Sequence, residues 1–341
     1  MSLPRVTTKA PPNVDPVKAS PAYGICALPK INREINHEDL HTRQKALNLL
    51  SDMLHSPNNI VEAIRVGIVK SLKLVIKDTD DHVRVKSTEN MSILSGHAKG
   101  REALLAINVI EPLSSLFEDK VYQVRYSVHS VLETLTCSGE GAMYAIDCGL
   151  IPRFVERLEF EENSVKELIL GSLHNCMTRD TVDALGCSAM TTLVSLLKHE
   201  SPKIRGKAAR GIMALTFPLK GKECAVSENA IPDLVELLDD SSHVVRANAC
   251  GALMSITITT QGKKETLKWG VIPKLVPLIC DPTPEVQLNA IKALTTLSEH
   301  PSGRESLSDT VDKLTDISAR SSDEYIRRAA EVAVKTITWK P

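Results

Sequence analysis

Apolar residues recur along this chain in a long register that repeats eight times. Taking as an anchor the polar or basic residue that in most cases follows an apolar one gives Arg43, Arg84, Arg125, Lys166, Arg205, Arg246, Gln287 and Arg327, spaced 41, 41, 41, 39, 41, 41 and 40 apart. Three positions after the anchors the residues are mostly small, as in Ala46, Ala208, Ala249, Ala290 and Ala330. Seven and ten positions on they are mostly large and apolar, as in Leu50 and Met53, Leu132 and Leu135, or Leu253 and Ile256. Offsets of three, seven and ten trace the buried stripe of an α-helix, and the small residues allow a close helix crossing.

A second, shorter apolar helix precedes each anchor, clearest in the strings IPRFVERL, IPDLVELL and IPKLVPLI, with proline in the first turn where it is tolerated. Turn and cap residues separate the two: Asp78 to Asp81, Ser201-Pro202, Asp239 to Ser242 and Asp281 to Pro284. A third, short helix leads the pair, as in GKKETLKWG. One short and two longer helices every forty-odd residues resembles the armadillo repeat, and the third helix argues against the HEAT alternative. The expected fold is all-α, a right-handed α-solenoid of about eight armadillo repeats over residues 22–341, with no internal boundary. Residues 311–341 form its polar C-terminal cap, and residues 1–21, with five prolines, form an extended arm.

Composition narrows the function. Aromatics are only 3%, so the core is filled by aliphatic side chains, and 41 basic against 42 acidic residues leaves no global field for nucleic acid or an anionic membrane. The eight cysteines have no C-x-x-C spacing and no close Cys/His pair of metal-ligand spacing, which predicts reduced, mostly buried thiols in an intracellular protein and no metal. Gly100-Arg101, Gly221-Lys222, Gly262-Lys263 and Gly303-Arg304 look like fragments of a phosphate loop. Their spacing is that of the repeat, however, and places them in the turn before the short helix. No nucleophile elbow or metal motif is present, so neither an enzyme nor a cofactor or small-molecule site is expected. The acidic run Glu159 to Glu162 reads as a solvated loop.

In an armadillo superhelix, offsets two, five and nine from the anchors face the concave groove. Peptide-carrying armadillo proteins place asparagine at offset nine and tryptophan at offset five. Here only Asn175 fits the first row, and the second contains no aromatic. The groove candidates are therefore Asn175, Lys207, Arg210, Asn248 and Lys292.

Three stretches go beyond repeat consensus: PPNVDPVKASPAYGICALPKIN, LHTRQKALNLLSDMLHSP and IRRAAEVAVKTITWKP. They resemble the armadillo-repeat proteins of the radial spokes of motile cilia and flagella. The resemblance implies a non-enzymatic subunit of the axoneme, in the cytoskeleton, that binds other radial spoke proteins within a multi-subunit complex. A cytosolic or nuclear armadillo adaptor holding a peptide cargo in its groove is the alternative, and the missing asparagine and tryptophan rows count against it.

Overall fold

The computed structural model describes residues 24–340, so the expected arm at 1–21 lies outside the described residues. Every regular element among the described residues is a helix. The chain divides into two compact units, Met1–Cys148 and Gly149–Pro341. In both, repeats are built from a first helix, a second helix and a long anchor helix. The third repeat is Ala98–Ala106, Ile110–Ser114 and Tyr122–Thr136, and the seventh is Thr260–Lys268, Ile272–Leu278 and Pro284–Ser298.

Burial follows the sequence register. Leu50, Met91, Leu132, Leu173, Ile212, Leu253 and Leu294, all seven positions after an anchor, have no exposed surface. Each contributes about 1.5–3 kcal/mol by leaving water, and no single repeat could bury its stripe alone. Anchor helices therefore stack. In the first unit Asp81–Ser95 packs between Leu40–Met53 and Tyr122–Thr136, and in the second His243–Ile256 packs between Pro202–Leu215 and Pro284–Ser298. In the last pair the polar helix Val311–Arg320 buries only Leu314, whereas Glu324–Ile337 still buries Ile326, Ala330, Ala333 and Ile337.

The anchors themselves do more than mark the register. Arg84 donates to the Asp78 carbonyl in its own turn and pairs with Asp119 of the next repeat at 2.7 Å. Arg43 with Asp78, Arg205 with Asp240 and Arg246 with Asp281 repeat the bridge at 3.0, 2.7 and 2.7 Å. Burial pushes the Asp119 carboxyl up, but the Arg84 hydrogen bond, the Val121 amide and the Arg84 charge outweigh it and hold its pKa below the ordinary value.

A left-handed residue reverses the chain before the second helix: Gly67 and Asn108 in the first unit, and Gly149, Ser188, Asn229 and Gly270 in the second. Glycine and asparagine tolerate that conformation at least cost.

Three readings need correction. The glycines of the Gly-Lys and Gly-Arg pairs lie inside the first helix, not in the turn before it. A Cβ on Gly100, Gly221, Gly262 or Gly303 would stand 1.8–2.1 Å from the carbonyl oxygen ten positions after the preceding anchor, so only glycine allows this approach. The neighbouring cation then caps the anchor helix: Lys222 Nζ donates to the Thr216 and Phe217 carbonyls at 2.7 and 2.6 Å, and Arg101 and Arg304 do likewise to Ser95 and Ser298. The acidic run is not wholly solvated, because Glu161 is buried and pairs with Arg157 at 2.6 Å. Nor are the thiols mostly buried. Cys176 and Cys250 are, and burial pushes both up to about 12, whereas Cys26, Cys137 and Cys280 are exposed.

Candidate docking face

The exposed side of the anchor helices differs between the units. In the first, the residues five, eight and nine positions after the anchors are Asn48, Ser51 and Asp52, then Glu89, Ser92 and Ile93, then Ser130, Glu133 and Thr134. In the second, offset five holds Arg210, Lys292 and Val332 beside Gly171 and Gly251, offset eight holds Met213 and Met254 beside His174, Thr295 and Lys335, and offset nine is polar or small throughout. Phe217, Ile258 and Trp339, twelve positions after their anchors, are exposed to 86, 55 and 57%. Apolar surface held in water at this density marks a face suited to contact with another chain.

The structure sorts the five groove candidates into two groups. Lys207 Nζ donates to the Glu167 carbonyl at 2.6 Å, and Asn248 Nδ2 donates to the Gly206 carbonyl at 3.1 Å. Both side chains thus tie one anchor helix to the preceding one. Asn289, unremarked in the sequence, repeats the tie to Ala247 at 3.0 Å, and Asn90 makes a similar one to Leu47 in the first unit. The signal was available, since Lys207, Asn248 and Asn289 share offset two. Asn175 is half-buried on its helix, whereas Arg210 and Lys292 are exposed.

Lys292 lines a groove of about 400 Å³ over the anchor helices of the last three repeats. Met254, Ile258, Tyr325 and Val332 supply its apolar walls, and Arg328, ion-paired with Glu324, stands with Lys292 at its edge. Tyr325 is 73% exposed. A second cavity of about 590 Å³ lies between the ends of Asn163–Met177 and Pro202–Leu215, walled by His174, Met177, Met213 and Phe217. Burial first, then the Arg210 and Lys207 charges, pushes the His174 pKa down to about 4, so the ring is neutral near pH 7. Among the described residues no group of three or more His, Cys, Asp or Glu could hold a metal ion, and no helix is long and apolar enough to cross a membrane. The face thus carries apolar hollows with Lys292, Arg328 and Arg179 among the residues that line them.

These features define a helical-repeat solenoid. The HEAT-repeat family pattern matches residues 231–335. Two crystal structures of engineered proteins share the fold: one at a TM-score of 0.84 and 20% identity, covering 91% of this chain and 78% of that one, the other at 0.64 and 21%, covering 68% and 99%. Among natural proteins, the chain is 27% identical to radial spoke protein 14 of Chlamydomonas reinhardtii over 230 residues, which are 60% of this chain and 57% of that protein.

Proposed function

We propose that this protein is a non-enzymatic structural subunit of axonemal radial spokes, which binds neighbouring spoke proteins and so supports ciliary and flagellar motility. The similarity to radial spoke protein 14 carries the reading. The three-helix repeat favours the armadillo over the HEAT form of solenoid, and the exposed apolar and basic rows of the second unit supply a surface for neighbours. Offset nine offers a single asparagine, Asn175, and offset five no aromatic, so the backbone-gripping ladder of a peptide carrier is missing.

Tagged protein purified from demembranated flagella, before and after salt extraction, tests the proposal. Recovery in a large complex with spoke subunits is the expected result. Recovery as a free protein with soluble cargo would overturn it.

A further inference from the structure

The last anchor helix, Glu324–Ile337, carries an exposed apolar seam. Tyr325 and Val332 stand seven residues apart on it, and Trp339 follows seven further on, just past its end. They are 73, 50 and 57% exposed. Seven residues make two helical turns, so the seam runs along one side for about 20 Å, and an apolar period of seven is the one along which a second helix packs. Val332 stands at its middle. It lines the groove that Met254, Ile258 and Lys292 share, and it also lines an adjoining hollow of about 420 Å³ with Arg304, Lys335 and Trp339. The two hollows therefore meet along one helix face. At its far end the Arg304 guanidinium stands 5.3 Å over the Trp339 ring, which holds the indole in place.

The polar groups of this face decide what can lie on it. Thr295, Thr296 and Thr336 donate their hydroxyl hydrogens to the Ile291, Ala293 and Val332 carbonyls of their own helices. An extended peptide would therefore find no neutral side-chain donor among the lining residues for its carbonyls, whereas a helix arrives with its backbone already paired. The donors that remain are cationic. Lys292 and Lys335 are exposed, and among the described residues neither has an ion-pair or hydrogen-bond partner. Glu299 is the one carboxylate that lines either hollow, and Lys263 already pairs with it at 2.6 Å. Arg328 is matched by Glu324. The unmatched charge of the face is thus positive, and it favours carboxylates on the segment that covers the seam. The chain's own residues 1–21 have the wrong sign for this, with Arg5, Lys9 and Lys18 against Asp15.

We infer that the seam from Tyr325 to Trp339 is a docking surface for an acidic amphipathic α-helix of a partner protein. About 14 residues, four turns, cover its length. The apolar side of that helix fills the hollow walled by Met254, Ile258, Tyr325 and Val332, and the carboxylates beside it pair with Lys292 and Lys335. That the partner is a spoke protein rests on the function proposed above; the chemistry of the seam does not.

The test replaces Tyr325 with the photoreactive residue p-benzoylphenylalanine in the full chain. The protein is irradiated in a salt extract of demembranated flagella, the adduct is mapped, and the mapped segment is synthesised and titrated against the intact wild-type protein. The expected result is a light-dependent adduct on a segment whose apolar residues recur every three or four positions with Asp or Glu beside them. Replacing those carboxylates by amides, which leaves the protein untouched, should weaken binding about tenfold or more. Lys292→Glu combined with Lys335→Glu should do the same, and a segment with lysine in place of its carboxylates should regain affinity for that double variant. Both positions are exposed, so a thermal melt close to that of the wild type separates lost contact from lost folding. No light-dependent adduct, or one on a basic segment, on an uncharged segment, on a segment without helical period or on a second copy of this chain, overturns the surface. So does unchanged affinity of the amide peptide. An acidic helix from a protein outside the spokes would leave the surface standing and sink the spoke reading, whereas a basic segment from a spoke protein would do the reverse.

Discussion

The fifth and seventh repeats end in similar anchor helices, Pro202–Leu215 and Pro284–Ser298, but are entered differently. In the seventh, Thr259 caps the first helix through the Gly262 amide, Gly262 brings it against Ile256, and Lys263 donates to the Ile258 carbonyl. In the fifth, two residues are missing between the anchor helix and the left-handed Ser188, and the first helix is only Val182–Gly186, without the glycine contact. The two repeats bury the same stripe, with Ile212 and Leu294 both fully enclosed. A repeat can therefore shorten its first helix and keep its core, because anchor-helix stacking carries most of the burial.

The largest expected effect checks the part the repeats share. Ile212→Ala and Leu253→Ala should each cost about 2–5 kcal/mol, as buried aliphatic truncations do, and a denaturant titration showing one of them near zero would mean that the stripe is not equally packed. Next comes the part that differs. Gly262→Ala should cost about 1–3 kcal/mol because its Cβ has no space, whereas Val182→Ala, at an exposed site, should stay within about 0.5 kcal/mol. Equal losses in thermal melts would break the comparison.

A smaller effect concerns the ion ladder, which the fifth repeat enters with His199 where the seventh has Asp281. Burial raises the Asp281 pKa, but the Thr283 amide and Arg246 outweigh it and leave it below the reference 3.8. A carboxyl with a depressed folded-state pKa stabilises the fold above its unfolded value and loses that contribution as pH falls through the folded one. Stability should thus decline below about pH 4, and Asp281→Asn should be less stable near neutrality with a flatter acid limb. Parallel acid limbs in pH-resolved melts would remove the ladder from the account. The smallest effect is Lys292→Ala, expected to change stability by under about 0.5 kcal/mol, since the side chain is exposed at a groove and its role lies in contact.

How much of this was legible varies by residue. The anchors, the stripe through Leu253 and Ile256 and the three-helix unit were readable, because burial in stacked helices imposes a period that no local interaction hides. Glycine spacing was visible too, but its reason was not: the Gly262 contact with the Ile256 carbonyl exists only once two helices meet. Lys207 and Asn248 illustrate the harder case. Offset two placed them on the correct helix, yet each reaches the carbonyl of the preceding anchor helix, and the choice between groove and neighbour depends on a crossing distance of a few ångström.

What the sequence by itself determined was the repeat, its helical class, its aliphatic core and the lack of any enzyme or metal motif, since all of these are written in residue type and period. What only the tertiary structure decided was which polar groups find partners. A two-residue shortfall reads as a minor irregularity along the chain. In three dimensions it shortens the first helix of the fifth repeat to Val182–Gly186 yet keeps its buried Ala184 and the left-handed turn at Ser188.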